Sequence, residues 1–196
     1  MEELIVNNKI QFTTPLPPSV NDYLGYRVVW KNGKAIVFPY KKQEALNFMK
    51  LVANKLDKFI KEDKWKETDE NTYVICEVDV FLNKKRRDSD NLFKVLLDSI
   101  NAVEGLLYDD SLIIPRVNNV AVDVNNPRLE VILRVANKVG VFTLEEYKAF
   151  LKNNCTECTR YKRNCSLLKA CVENKIKKEI NLKSLNCSAR RIKKKK

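Results

Sequence analysis

Hydrophobic and polar positions change period several times along the chain, and each change marks a predicted element. Residues 9–13, Lys-Ile-Gln-Phe-Thr, alternate as a half-buried strand does. They run into Thr14-Pro15-Leu16-Pro17-Pro18-Ser19-Val20-Asn21-Asp22, where closely spaced prolines demand an extended, stiff connection. Residues 26–30 and 34–38 flank Asn32-Gly33. That dipeptide takes the positive backbone angles of a type I′ turn, so a β-hairpin is expected. From 40 to 60 the apolar residues Ala45, Phe48, Val52, Leu56 and Phe59 recur at helical steps among lysines and acids, which predicts an amphipathic helix. Residues 63–71 are polar and read as a loop. Val74, Cys76, Val78, Val80 and Leu82 then alternate with Ile75, Glu77, Asp79 and Phe81, the period of a strand.

A second helix is predicted over 90–104, with Leu92, Val95, Leu96, Ile100 and Val103 on one face and Gly105 as its stop. Residues 112–122 and 128–135 read as two further strands, joined by a polar turn containing Asn125-Asn126-Pro127. The order strand, hairpin, helix, strand, helix, strand, strand predicts an α+β fold, a mixed β-sheet with helices packed mainly on one face. After Val139-Gly140 the composition changes. A short helix is expected over 144–151, its start marked by Thr143 with Glu146 three residues on, and a cysteine-rich basic stretch follows. The expected organisation is a main domain over 1–139 and a small module over 140–196.

Charge sharpens that division. The formal net charge is +12, yet residues 141–196 hold 16 Lys and Arg against 5 Asp and Glu, leaving 21 against 20 for the rest. A basic segment of this kind favours a polyanionic partner, because phosphate contacts release counterions. A solvated lysine-rich tail is the alternative. No apolar run approaches the roughly 18 residues needed to cross a bilayer. The opening Met1-Glu2-Glu3-Leu4-Ile5 has neither the cations nor the apolar length of a secretory signal, so a cytoplasmic protein is expected.

Histidine is absent, which excludes Ser-His-Asp and Cys-His hydrolases, histidine-based nucleases and zinc fingers that mix cysteine with histidine. With glycines only at 25, 33, 105 and 140 there is no phosphate-binding glycine loop. The remaining chemistry belongs to carboxylates, lysines, cysteines or a metal. Lys84-Lys85-Arg86-Arg87 runs directly into Asp88-Ser89-Asp90, and a second acidic pair, Asp109-Asp110, lies past Gly105. Carboxylates with waters and substrate phosphate suit Mg2+ or Mn2+. Lys94, one turn after Asp90, is placed to neutralise a phosphate oxygen or assist a leaving group. The same acids also fit ordinary helix capping and a turn.

Arg86-Arg87-Asp88-Ser89-Asp90-Asn91-Leu92, then Lys94 and Asp98, with Gly105 and Asp109-Asp110-Ser111 beyond, resembles the signature of the RusA-like Holliday junction resolvases. Pro15 to Asn21 is similar to that family's N-terminal Pro-Pro-Ser-x-Asn, and Asn126-Pro127-Arg128-Leu129-Glu130-Val131 to a stretch near its last strand. The resemblance implies a RusA-like fold and a homodimeric, magnesium-dependent endonuclease that cuts four-way DNA junctions by paired nicks in recombination and repair. Matched residue by residue, Asp88, Asp90 and Asp110 would be its metal-binding acids, Asp109 a neighbour and Lys94 its functional lysine. The expected mechanism is metal-assisted phosphodiester hydrolysis, with Lys84, Lys85, Arg86 and Arg87 holding flanking phosphates. A straight helix from 90 to 104 would be about 22 Å long, more than the few residues behind it comfortably span. A self-contained acidic site is therefore tight, unless the helix is shorter or a second subunit contributes.

Cys155, Cys158, Cys165 and Cys171 follow one another at short spacing, with Cys187 further on and able to replace one of them. Without histidine, zinc there requires four thiolates or a carboxylate in the set; free thiols or an iron-sulfur cluster are the alternatives. Arg160, Lys162 and Arg163, beside Tyr161, lie between the second and third cysteines as candidate DNA contacts. The remaining cysteine, Cys76, fits the buried face of its strand. A non-catalytic nucleic-acid-binding protein working through this basic module is the competing function.

Overall fold

The computed structural model describes residues 9–85 and 90–192. They divide into two compact units. One comprises the chain as far as Glu70 together with Val74–Val135, the other Asn71–Tyr73 together with the chain from Ala136 on.

The first unit is built on a four-stranded mixed sheet. Its strands are β1 (Lys9–Pro15), β4 (Val74–Leu82), β5 (Ile113–Val122) and β6 (Arg128–Val135), in the order β1-β6-β4-β5. β6 runs antiparallel to both β1 and β4, whereas β4 and β5 are parallel. A parallel pair needs a crossover, and α3 (Asp90–Asn101) supplies it. Along β4 the even-numbered residues Val74 to Leu82 are all buried, and they pack with Ala45, Phe48, Val52 and Leu56 of α2 (Gln43–Lys61) and with Leu92, Val95, Leu96 and Ile100 of α3 in one core. This is the expected mixed sheet with helices. Pro115 is accommodated because β5 is an edge strand, and a register shift opposite Val78/Asp79 inserts Asn118 as a bulge.

The hairpin forms as β2 (Leu24–Lys31) and β3 (Lys34–Lys41). Asn32 and Gly33 have φ of 52° and 71°, the positive pair that a type I′ turn requires. Three expectations are corrected. A short helical turn, α1 (Val20–Tyr23), interrupts the supposedly extended connection. Tyr40 belongs to β3, and α2 begins only at Gln43. The third concerns α3, which ends at Asn101 rather than at 104. Its last turn tightens, with Val103 N–H donating to the Ile100 carbonyl at 3.2 Å, and Val103 and Leu106 then turn into the core. What draws them in is Trp65, which lies in the segment read as a polar loop. It is 2% exposed, and its Nε1 donates to the Leu106 carbonyl at 2.8 Å.

The second unit has its own core of Phe142, Phe150, Cys155, Leu168, Cys171 and Ile180. Short pairs β7 (Lys138–Val139) with β8 (Phe142–Thr143), and β9 (Ile180–Asn181) with β10 (Asn186–Cys187), frame α4 (Leu144–Phe150) and α5 (Ser166–Val172). The expected capping box is present: Glu146 N–H donates to Thr143 Oγ1 at 3.2 Å, and Thr143 N–H donates to Glu146 Oε2 at 2.8 Å.

Candidate active site

β4 delivers the basic and acidic stretch at its carboxyl end. Beyond Leu82, Lys84 and Lys85 are exposed. Residues 86–89, hence Arg86, Arg87 and Asp88, and the side chain of Asp90 lie outside the described residues. Asp90 opens α3, and the N-terminal end of a helix favours negative charge. Lys94 lies on the solvent face of that helix, 3.4 Å from Asp98.

The end of the sheet from which this stretch leaves is braced by residues that sequence reasoning did not single out as a group. Asp123 N–H donates to the Leu82 carbonyl at 2.8 Å, tying the β5–β6 turn to the last residue of β4. Arg128 stacks over the Phe81 ring at 3.8 Å and donates to Asp123 Oδ2 and Glu130 Oε1, each at 2.8 Å. The Asn126 N–H, then the Arg128 guanidinium, hold the Asp123 carboxyl below its usual range, outweighing the effect of its desolvation. The signal for this brace was the Asn126-Pro127-Arg128 motif, but its partners come from a neighbouring strand and a turn.

Asp109 and Asp110 occur at the other end of the strand pair. Val74, the first residue of β4, pairs with Ile113, and Leu82 pairs with Val122. Asp109 and Asp110 lead into Ile113 through a short helical turn. α3, opened by Asp90, thus follows the carboxyl end of β4, whereas Asp109 and Asp110 precede β5 beside the other end; β4 itself is about 26 Å long at ~3.3 Å per residue. Asp109 already has partners, for Ser111 donates to its carboxylate from the hydroxyl and from the backbone N–H. Those two bonds, the hydroxyl's first, hold it below the usual carboxylate range. This is the turn that the sequence left open for this pair, and Asp109 begins it; Asp110 is exposed. Among the described residues no three cysteine, aspartate or glutamate side chains are gathered tightly enough to hold an ion.

In the second unit, Cys155, Cys158, Cys165 and Cys187 line one small cavity together with Arg160 and Tyr161. Lys162 and Arg163 are exposed beside them. Cys171 is fully buried in that unit's core. Cys76 lies in the sheet, where burial pushes its thiol up to about 12.

Residues 27–134 match the family model of endodeoxyribonuclease RusA. The chain belongs to the RusA endodeoxyribonuclease family. The match runs from β2 to β6, so the RusA region takes in the hairpin, the brace and both acidic sets, while the cysteine-rich unit lies outside it. The comparison with curated proteins returned no match. No helix among the described residues is long and apolar enough to cross a membrane.

Proposed function

We propose that this protein is a cytoplasmic, homodimeric endonuclease that resolves four-way DNA junctions by paired nicks, in recombination or repair, using Mg2+ or Mn2+. The observation that carries this reading is the β4–α3 junction. A braced sheet end leads two exposed lysines toward the start of a helix, inside a region that matches an endodeoxyribonuclease family.

The donor chemistry fits a hard divalent ion, since the candidates offer carboxylate oxygens and the chain has no histidine to compete. Asp88, Asp90 and Asp110 would hold the ion, with Asp109 fixing the turn that carries Asp110. An ion held there would supply an activated water and neutralise charge at the scissile phosphate. Lys84, Lys85, Arg86 and Arg87 grip the flanking phosphates and set the strand's position without reading its sequence. The Lys94 ammonium offsets negative charge at a phosphate oxygen.

Because the two acidic sets flank opposite ends of β4, a second copy is the natural source of the missing carboxylate. The β2–β3 hairpin offers a surface for that copy. Its register places Tyr26, Val28 and Trp30 opposite Pro39, Val37 and Ala35, an uninterrupted apolar face, and Tyr26 and Trp30 are 67% and 73% exposed. A two-stranded ribbon of this kind is at best marginal in water by itself, and burying its face in a dimer removes that exposure. Symmetric nicks on a four-way junction then follow from a two-fold dimer.

The test is cleavage of a synthetic four-way junction with magnesium or manganese. Wild-type protein should nick it in pairs, and Asp88→Asn and Asp90→Asn proteins should bind it without cutting. Wild-type binding with no nicking in either metal would replace this reading with a non-catalytic DNA-binding protein that acts through its basic second unit.

A further inference from the structure

Five cysteines fall in the second unit, outside the region that matches the RusA family, and the structure sorts them. We infer that Cys155, Cys158, Cys165 and Cys187 form a structural zinc site, with Cys171 a core residue and not a ligand.

Four observations support this assignment. The first is the cavity that these four thiols line. Its volume is about 20 Å³, enough for one atom of water size, which needs about 10–15 Å³. Four thiolates around a single-atom space, in a chain without histidine, match the tetrahedral sulfur set of structural zinc.

The second is Asn154, which explains how Cys187, distant in sequence, joins a Cys-x2-Cys pair. The α4 helix widens into a π-type turn over Leu151–Cys155, and Asn154 is 3% exposed there. Its amide nitrogen donates to the carbonyls of Phe150 and Leu185, at 3.1 and 2.8 Å, and its oxygen accepts the Cys187 N–H at 3.0 Å. A buried amide is costly unless satisfied. Two of these three bonds, to the Leu185 carbonyl and from the Cys187 N–H, hold the Cys187 segment against the turn that ends in Cys155.

The third is the set of donors around the sulfurs. Cys158 Sγ accepts the Arg191 N–H at 3.4 Å, and the backbone N–H groups of Arg160 and Tyr161 also face it. Such N–H···S bonds orient and stabilise a thiolate ligand. Cys158, Cys165, Cys187 and Arg190 all lie close enough to Cys155 to act on it electrostatically. Arg190 has a buried Nε–H with no acceptor. A zinc-bound thiolate would supply one, and zinc with four thiolates carries the negative charge that Arg160 and Arg190 offset.

The fourth observation removes Cys171. It is fully buried, its carbonyl accepts the Val141 N–H at 3.0 Å, and a Cβ added at Gly140 would lie 1.9 Å from that carbonyl oxygen. Its thiol lies near Cys165 and Cys187 and is faced by the Lys177 N–H, but it does not line the cavity.

The four thiols surround the cavity without closing on one point, so zinc binding draws them inward and releases their protons. It also fixes the basic loop at 160–163 beside Arg190 and Arg191, since Cys158 already bridges to Ile192 and Thr159 N–H donates to the Arg191 carbonyl at 2.8 Å.

Metal analysis of the full-length chain tests the assignment. We expect about one zinc per chain, retained in Cys171→Ala and lost in Cys187→Ala, with Cys187→His keeping a ligand and retaining the metal. Should these variants misfold, cobalt exchanged into wild-type protein should show the intense visible bands of tetrahedral four-thiolate coordination. Zinc lost from Cys171→Ala but kept in Cys187→Ala would overturn the ligand set. Iron with acid-labile sulfide, no bound metal, or a six-coordinate cobalt spectrum would overturn the site.

Discussion

Mixing two inactive proteins should restore cutting. β4 spans about 26 Å between the paired ends Val74–Ile113 and Leu82–Val122, and α3 covers about 17 Å from Asp90 to Asn101. Ligand oxygens on one magnesium ion lie about 2.1 Å from it, so acids that lead from opposite ends of β4 share an ion only where the chain between them, or a second copy, brings them together. If Asp90 of one copy works with Asp110 of the other, neither the Asp90→Asn nor the Asp110→Asn homodimer has an intact site. Their heterodimer has one intact and one doubly substituted site. Random pairing of equal amounts makes half the dimers hetero, so total site activity should return to about a quarter of wild type by two-fold symmetry. The product should be single nicks rather than paired ones. The assay is junction nicking by differently tagged, co-expressed subunits on a labelled four-way junction, with each homodimer as its blank. A mixture no more active than its parents would show that each subunit completes its own site, and the cross-subunit argument would fall.

Other consequences are testable on the fold. Trp65→Ala removes a fully packed side chain and the bond to the Leu106 carbonyl, and should cost about 3–5 kcal/mol in urea unfolding; a cost below about 1 kcal/mol would refute its role in ending α3. Trp30→Glu on the exposed hairpin should leave the fold intact by circular dichroism but shift light scattering from dimer to monomer and abolish paired nicking. Continued dimerisation would exclude that face as the interface. The hydrogen bond from Arg134 to Glu77, 2.6 Å long, lowers the Glu77 carboxyl. Its contribution is therefore present above the ordinary carboxylate range and lost as pH falls through the lowered value. The stability gap between wild type and Glu77→Gln should be widest near neutral pH and close in acid, and a gap constant with pH would contradict this. Cys76, buried and shifted to about 12, should resist alkylation at mildly alkaline pH until the protein is unfolded.

Much of this protein was legible in order along the chain. The alternation that predicts β4, the helical steps in α2, the Asn32-Gly33 turn and the Thr143–Glu146 capping box are local patterns. Each depends on residues a few positions apart, and each element formed where its pattern lies. Membership of the RusA family was equally present in the ordered motifs between the hairpin and β6. What the chain did not reveal depends on partners distant in sequence. α3 stops early because Trp65, 41 residues upstream, bonds the Leu106 carbonyl, and no helix propensity encodes that contact. Which end of the sheet each acidic set occupies follows from the parallel pairing of β4 with β5, since a parallel crossover returns the chain to the strand's starting end. That Cys187 rather than Cys171 lines the thiol cavity, an exchange the sequence left open, rests on Asn154 in the turn after α4 accepting the Cys187 N–H, a contact that cysteine spacing allows but cannot select. Local sequence periodicity determined the elements and the chemistry they carry, whereas tertiary pairing decided which of those groups meet.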